Sequence, residues 1–83
     1  MKRIVFDARK LEHPQPLEEG VRHLAEMDHE SYLHMIHRKN PVPLLQIAQK
    51  QGCQTLSYEN ADGIWHILIT KNPTINLQEL RDV

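Results

Sequence analysis

Apolar and polar positions along this chain switch repeatedly between a period of two and a helical period. Residues 3–8 alternate and predict a short strand ending at Asp7-Ala8-Arg9. Residues 9–15 are polar and Pro-marked, which reads as a loop. Pro14 and Pro16 then open a helix, because proline fits a first turn whose N–H groups have no intrahelical partner. Leu17, Val21, Leu24 and Ala25 recur at helical spacing and form one apolar stripe. Glu18 and Glu19 sit in the first turn, where the helix dipole favours negative charge. Asp28 and Glu30 mark the next turn, and residues 31–37 read as a second strand. Arg38-Lys39-Asn40-Pro41 is a second polar loop. Pro41 and Pro43 start a second helix carrying Leu44, Leu45, Ile47 and Ala48, which ends at Gly52. Residues 53–59 and 64–71 are two further strands, with Ala61-Asp62-Gly63 as the turn between them. In residues 72–83, Asn76 can cap a short helix with Leu77, Leu80 and Val83 along one side.

The order is strand, helix, strand, helix, strand, strand. A strand–helix–strand unit implies a right-handed crossover between parallel strands, and the last two strands form an antiparallel hairpin. The expected fold is α+β: a two-layer sandwich with a mixed four-stranded sheet and two helices on one face. Residues 1–71 make one domain and residues 72–83 a C-terminal extension. On the fourth strand Trp65, Ile67 and Ile69 are the stronger apolar set and should face the helices, joined by Leu56 and Tyr58. With Leu33 and Met35 inward, Tyr32, His34, Ile36 and Leu68 remain on the open face as a mixed patch in solvent. Such a patch suits a protein partner or a homodimer through that face.

Composition narrows the function. Ten Lys+Arg against eleven Asp+Glu give a net charge of −1, which argues against a general nucleic-acid binder. No apolar run approaches a membrane span or a secretory leader, so neither membrane nor export is expected, and the default is a cytoplasmic protein. A single Cys excludes a disulfide framework within one chain and fits a reducing compartment. Six His make the charge pH-sensitive, moving it from −1 to +5 when all are protonated.

The topology gives two of these residues a reason to meet. The loops after the first and second strands lie at the carboxyl ends of parallel strands and share one edge, where ligands of open α/β sheets bind. They bring Arg9, Lys10, His13, His37, Arg38, Lys39 and Asn40 to two helix N-termini. Basic side chains beside free backbone N–H groups are what an anion needs. The bland alternative is a set of solvated loop charges. His34 and His37 are three apart on a strand, so they point to opposite faces and cannot chelate together. A metal site from Asp7, His13 and His37 lacks chelating sequence spacing, and no metal or cofactor is expected. Cys53 follows a helix C-terminus at the opposite edge, where the dipole disfavours a thiolate.

Asp7-Ala8-Arg9-Lys10-Leu11-Glu12-His13-Pro14-Gln15-Pro16-Leu17 resembles the D-x-R/x-G-L-x-C-P-x-P signature of the TusA-like (SirA-like) superfamily. Asn40-Pro41-Val42-Pro43-Leu44 and Asp62-Gly63-Ile64-Trp65-His66-Ile67 are similar to an uncharacterised branch of it, over about residues 4–71. The resemblance implies the same two-layer fold. In its sulfur carriers the Cys of C-P-x-P accepts a persulfide; here that position holds His13, and Lys10 replaces the usual Gly. Imidazole cannot form a persulfide, so sulfur transfer does not carry over at that residue. The expected function is therefore a non-catalytic binding or adaptor module, with Arg9, His13, His37, Arg38 and Asn40 meeting an anionic ligand or protein partner. The alternatives are a small carrier or enzyme using His13 as its catalytic group, related to sulfur relay, and His-based metal binding.

Overall fold

The computed structural model describes residues 1–81. Strands β1 (Lys2–Asp7), β2 (Ser31–His37), β3 (Gln54–Glu59) and β4 (Trp65–Thr70) alternate with helices α1 (Gln15–Glu26) and α2 (Val42–Lys50), and a one-turn helix α3 (Leu77–Leu80) follows. The sheet order is β1-β2-β4-β3, so β4 inserts between β2 and β3. β1 runs parallel to β2, and β4 runs antiparallel to both of its neighbours. The result is the mixed four-stranded α+β sheet that the sequence predicts.

β2 is central and buried along nearly its whole length, since both of its faces are covered. On one face Phe6, Leu33, Met35, Ile67 and Ile69 pack with Leu24, Leu44 and Ala48 of α1 and α2. These side chains alternate along their strands, as a half-layer of core requires. α1 meets α2 at Gly20, which is buried; a Cβ there would lie 2.6 Å from Leu44 Cδ2. The helix stripe thus runs through Pro16, Gly20 and Leu24, while Ala25, expected in the stripe, is exposed. α2 closes at Gly52, whose φ of +83° is the left-handed conformation a helix terminus uses.

The other face differs from the sequence expectation. Tyr32 and Leu68 are not in solvent; they form a second core with Leu77, flanked by Leu56, Ile75 and Leu80. Leu68 is 1% exposed. Leu56 and Tyr58 also lie on this face rather than against α1 and α2. The cause is register. The expected turn at Ala61-Asp62-Gly63 leaves Asn60 opposite Ile64, which puts Tyr58 opposite His66 and Leu56 opposite Leu68, on the face away from Ile67 and Ile69. Asn60 builds that turn: its Oδ1 accepts from the Asp62 and Ile64 amides at 2.9 and 3.0 Å. One residue of slip turns a whole strand over.

The terminal segment is pinned over this face. Gln54 Nε2 donates to the carbonyls of Asn72 and Ile75 at 2.9 and 2.7 Å. Asn76 Oδ1 caps α3 by accepting from Gln78 N at 3.0 Å. Leu77 is buried and Leu80 packs beside it, while Val83 lies outside the described residues.

Candidate functional site

The β1–α1 and β2–α2 loops meet at one edge of the sheet. Ala8 extends the parallel ladder by donating to Ile36 O at 2.7 Å, and Arg38 Nη2 crosses between loops to Leu11 O at 3.3 Å. Both helices open on the same Pro-x-Pro-Leu sequence: Pro14 and Pro41 occupy the N-cap positions, and Pro16 and Pro43 lie one residue inside. The His13–Pro14 peptide is cis. Among the described residues no side chain caps either helix. Proline has no N–H, so the amides of Leu17 and Leu44 are the donors that each first turn directs toward this edge.

Between the loops lies a cavity of about 180 Å³. Leu11, Leu17 and Leu44 form its apolar walls, and His13, His37, Arg38, Lys39 and Asn40 supply its polar groups. Two of those are buried atoms without a hydrogen-bond partner, His37 Nδ1 and Asn40 Oδ1. His37 is only 9% exposed. Burial holds its imidazole below the ordinary histidine pKa, and the Arg38 and Lys39 charges push the same way. A backbone hydrogen bond to Ala8 opposes them. His13, Arg38 and Lys39 are exposed at the mouth.

Of the residues singled out from the sequence, His13, His37, Arg38, Lys39 and Asn40 share this cavity. Arg9 does not line it. Its Nη2 donates to Asp7 Oδ2 at 2.7 Å and its Nε to Asp7 Oδ1 at 2.9 Å, a bidentate pair closed within one turn. These bonds and the Arg9 amide draw the Asp7 pKa down to about 2. Asp7 is thereby committed to Arg9 rather than to a histidine. The apolar walls were missed at the sequence level, although the Leu of each Pro-x-Pro-Leu marked them.

The larger depression in the surface, about 620 Å³, lies at the opposite edge beside Met27, Asp28 and Ile75. Of the carboxylates that line it, Asp28 is already satisfied, since its Oδ1 accepts from Ser31 Oγ at 3.0 Å and Glu30 N at 2.9 Å. These bonds also hold the Asp28 pKa down. Among the described residues, that edge carries no unpartnered buried side-chain atom.

Cys53 is buried beyond the C-terminus of α2, its amide donating to Ala48 O at 3.0 Å. Burial raises its thiol pKa, partly offset by Lys71. His34 and His37 point to opposite faces. His34 Nε2 lies 2.9 Å from His66 Nδ1, and Tyr58 stacks on His66. This outer cluster was missed because it depends on the β3–β4 register. His23, expected on the surface, is half-buried with its ring 4.9 Å from Phe6. Among the described residues, no three His, Cys, Asp or Glu side chains converge on a metal position, and no helix is long and apolar enough to cross a membrane.

A family model described as uncharacterized conserved protein (DUF2249) matches residues 5–71. No curated protein matches the sequence. Among solved structures, the chain is similar to a SirA-like protein from Desulfitobacterium hafniense, with 21% identity and a TM-score of 0.69. The likeness covers 82% of this chain and 96% of that one. It shows a SirA-like fold, in agreement with the resemblance of the loop motifs.

Proposed function

The chain belongs to the family of uncharacterized conserved proteins DUF2249, and on that premise we propose that it is a non-catalytic binding module that takes up an anionic group at its loop edge. One observation carries this reading: the cavity where two helix N-termini without side-chain caps meet Arg38, Lys39 and the buried His37. Helix N-termini offer N–H donors and a favourable dipole, and two cations at the mouth add counter-charge. An apolar cavity with a few convergent polar groups is the usual form of a small-ligand site.

The absence of chemistry in this reading rests on residue identity. His13 occupies the position at which sulfur carriers of this fold place their persulfide cysteine. The one thiol, Cys53, is buried and raised in pKa, which disfavours the nucleophilic thiolate. Asp7 is held by Arg9 and does not orient an imidazole. We place the module in the cytoplasm, where a single unpaired thiol is stable.

Calorimetric titration with inorganic phosphate, sulfate and propionate at low ionic strength tests the reading. At least one anion should bind saturably, and the Arg38→Glu/Lys39→Glu double variant should lose that binding while keeping its melting temperature. Saturable binding that survives charge reversal would remove the loop edge as the site.

A further inference from the structure

We propose that Asn60, His66 and His34 form a directional hydrogen-bond chain on the outer face, away from the loop-edge cavity, that holds the end of the terminal segment while both imidazoles are neutral and releases it on protonation. Asn60 sets the direction. Its Oδ1 accepts from the Asp62 and Ile64 amides, so the other end of the amide, Nδ2, is the atom 3.3 Å from His66 Nε2. An amide nitrogen only donates, so His66 Nε2 accepts and carries no proton. The imidazole then keeps its proton on Nδ1, which lies 2.9 Å from His34 Nε2 and donates to it. His34 Nε2 is an acceptor in turn, and its own ring proton is on Nδ1. The geometry of the β3–β4 turn thus fixes the tautomers of both rings.

A first proton breaks one link of this chain whichever ring takes it. On His66 Nε2 it faces the Asn60 donor; on His34 Nε2 it faces the His66 N–H. His34 is only 8% exposed, so water has little access to replace the lost bond. The new charge also reaches the terminal segment. Tyr58 stacks on His66 with ring planes 12° apart, and the Arg81 guanidinium lies 4.0 Å over the Tyr58 ring. Arg81 directly follows α3, whose Leu77 and Leu80 sit on the same face. A cation on an exposed aromatic ring is a weak contact. An imidazolium stacked on that ring competes for its π electrons and repels the guanidinium. The other charged or titratable groups of the elements on this face are Arg3 and Asp7 of β1, Tyr32 of β2 and the exposed Glu79 of α3. Asp7 is held by Arg9, and Asp82 lies outside the described residues.

Imidazole ¹H–¹⁵N spectra of the full chain, recorded with NOEs between Arg81 and the Tyr58 ring from about pH 8 down to about pH 5, test this across the range in which histidine titrates. At the upper end His66 should show a protonated Nδ1 and a bare Nε2, with the Arg81–Tyr58 NOE present. That NOE should fade in step with protonation of the pair. Asn60→Asp keeps an oxygen for the turn amides and changes the partner of His66 Nε2 from a donor to a charged acceptor. It should move the His66 proton to Nε2 and shift the loss of the NOE to higher pH. His66→Phe keeps a flat ring against Tyr58 that takes no proton, and should retain the NOE at the acid end. A proton on Nε2 of wild-type His66 at the upper end would overturn the inference. So would an NOE that outlasts protonation of the pair, or one that fades equally in His66→Phe.

Discussion

His37 and Asn40 line one cavity, and each carries a buried side-chain atom, His37 Nδ1 and Asn40 Oδ1, that has no hydrogen-bond partner among the described residues. Leaving a buried acceptor unmade costs about 1–3 kcal/mol. In a chain of 83 residues, whose total stability is on the order of 5 kcal/mol, that is a substantial fraction. Asn40→Ala removes one such atom and leaves the Asn40 carbonyl, which accepts from Val42 N at 2.9 Å, in place. Denaturant unfolding should show the variant at least as stable as the wild type, with a gain of up to about 1 kcal/mol. A loss of comparable size would mean that the amide is satisfied in the free protein.

His37 also sets a pH dependence. Its folded pKa lies below the ordinary value of 6.5, so the folded state binds its proton less readily than the unfolded state. The contribution is complete above pH 6.5 and is lost as the pH falls through 6.5 toward the folded value. Stability should decline on acidification through this window, and His37→Phe should decline less. Identical slopes in the two proteins would contradict the burial of the imidazole.

Arg9 and Asp7 form the contrasting case, an exposed ion pair closed within one turn. Exposed pairs contribute little to stability, so the sensitive readout is titration. Arg9→Ala should return the Asp7 carboxyl from about 2 toward 3.8, followed by NMR of the side-chain carbonyl. Because its folded pKa is depressed, whatever stability Asp7 adds is present above pH 3.8 and fades between 3.8 and about 2. The same variant should bind anions nearly as well as the wild type, since Arg9 does not line the cavity.

Gly20 lies in the middle of α1, where alanine would ordinarily add about 1 kcal/mol. Here its Cβ would lie 2.6 Å from Leu44 Cδ2 in a fully buried side chain. Overpacking of this kind costs about 1–3 kcal/mol. Gly20→Ala should therefore lower the unfolding free energy. Added to Leu44→Ala, it should destabilise less than it does alone, because the truncated side chain leaves room. Strict additivity of the two changes would rule out the contact as the cause.

The strands, the two long helices and the shared loop edge were legible because each depends on local signals: alternation, Pro at helix starts, Gly52 at a helix end. His13, His37 and Asn40 could be placed together from topology alone. What failed was set by longer-range geometry. Leu56 and Tyr58 were assigned to the helix face by their apolar character, whereas pairing across the Ala61–Gly63 turn sets them beside Leu68 and His66. The open-face patch around Tyr32 and Leu68 was expected in solvent because the site on which Leu77 docks is formed by strands far from it in sequence. Arg9 counted as a free cation, since nothing in the spacing of Asp7 and Arg9 reveals a bidentate pair. The unpartnered state of His37 Nδ1 is a property of the assembled cavity and has no sequence signal.

The most direct test of the loop-edge site is a map of backbone amide shifts on titrating the uniformly ¹⁵N-labelled protein with inorganic phosphate. Saturable shifts should centre on the Leu17 and Leu44 amides and on residues 37–40, with the opposite edge around Asp28 to Ser31 unmoved. Saturable shifts centred on that opposite edge, or on the outer face around Tyr58 and His66, would contradict it.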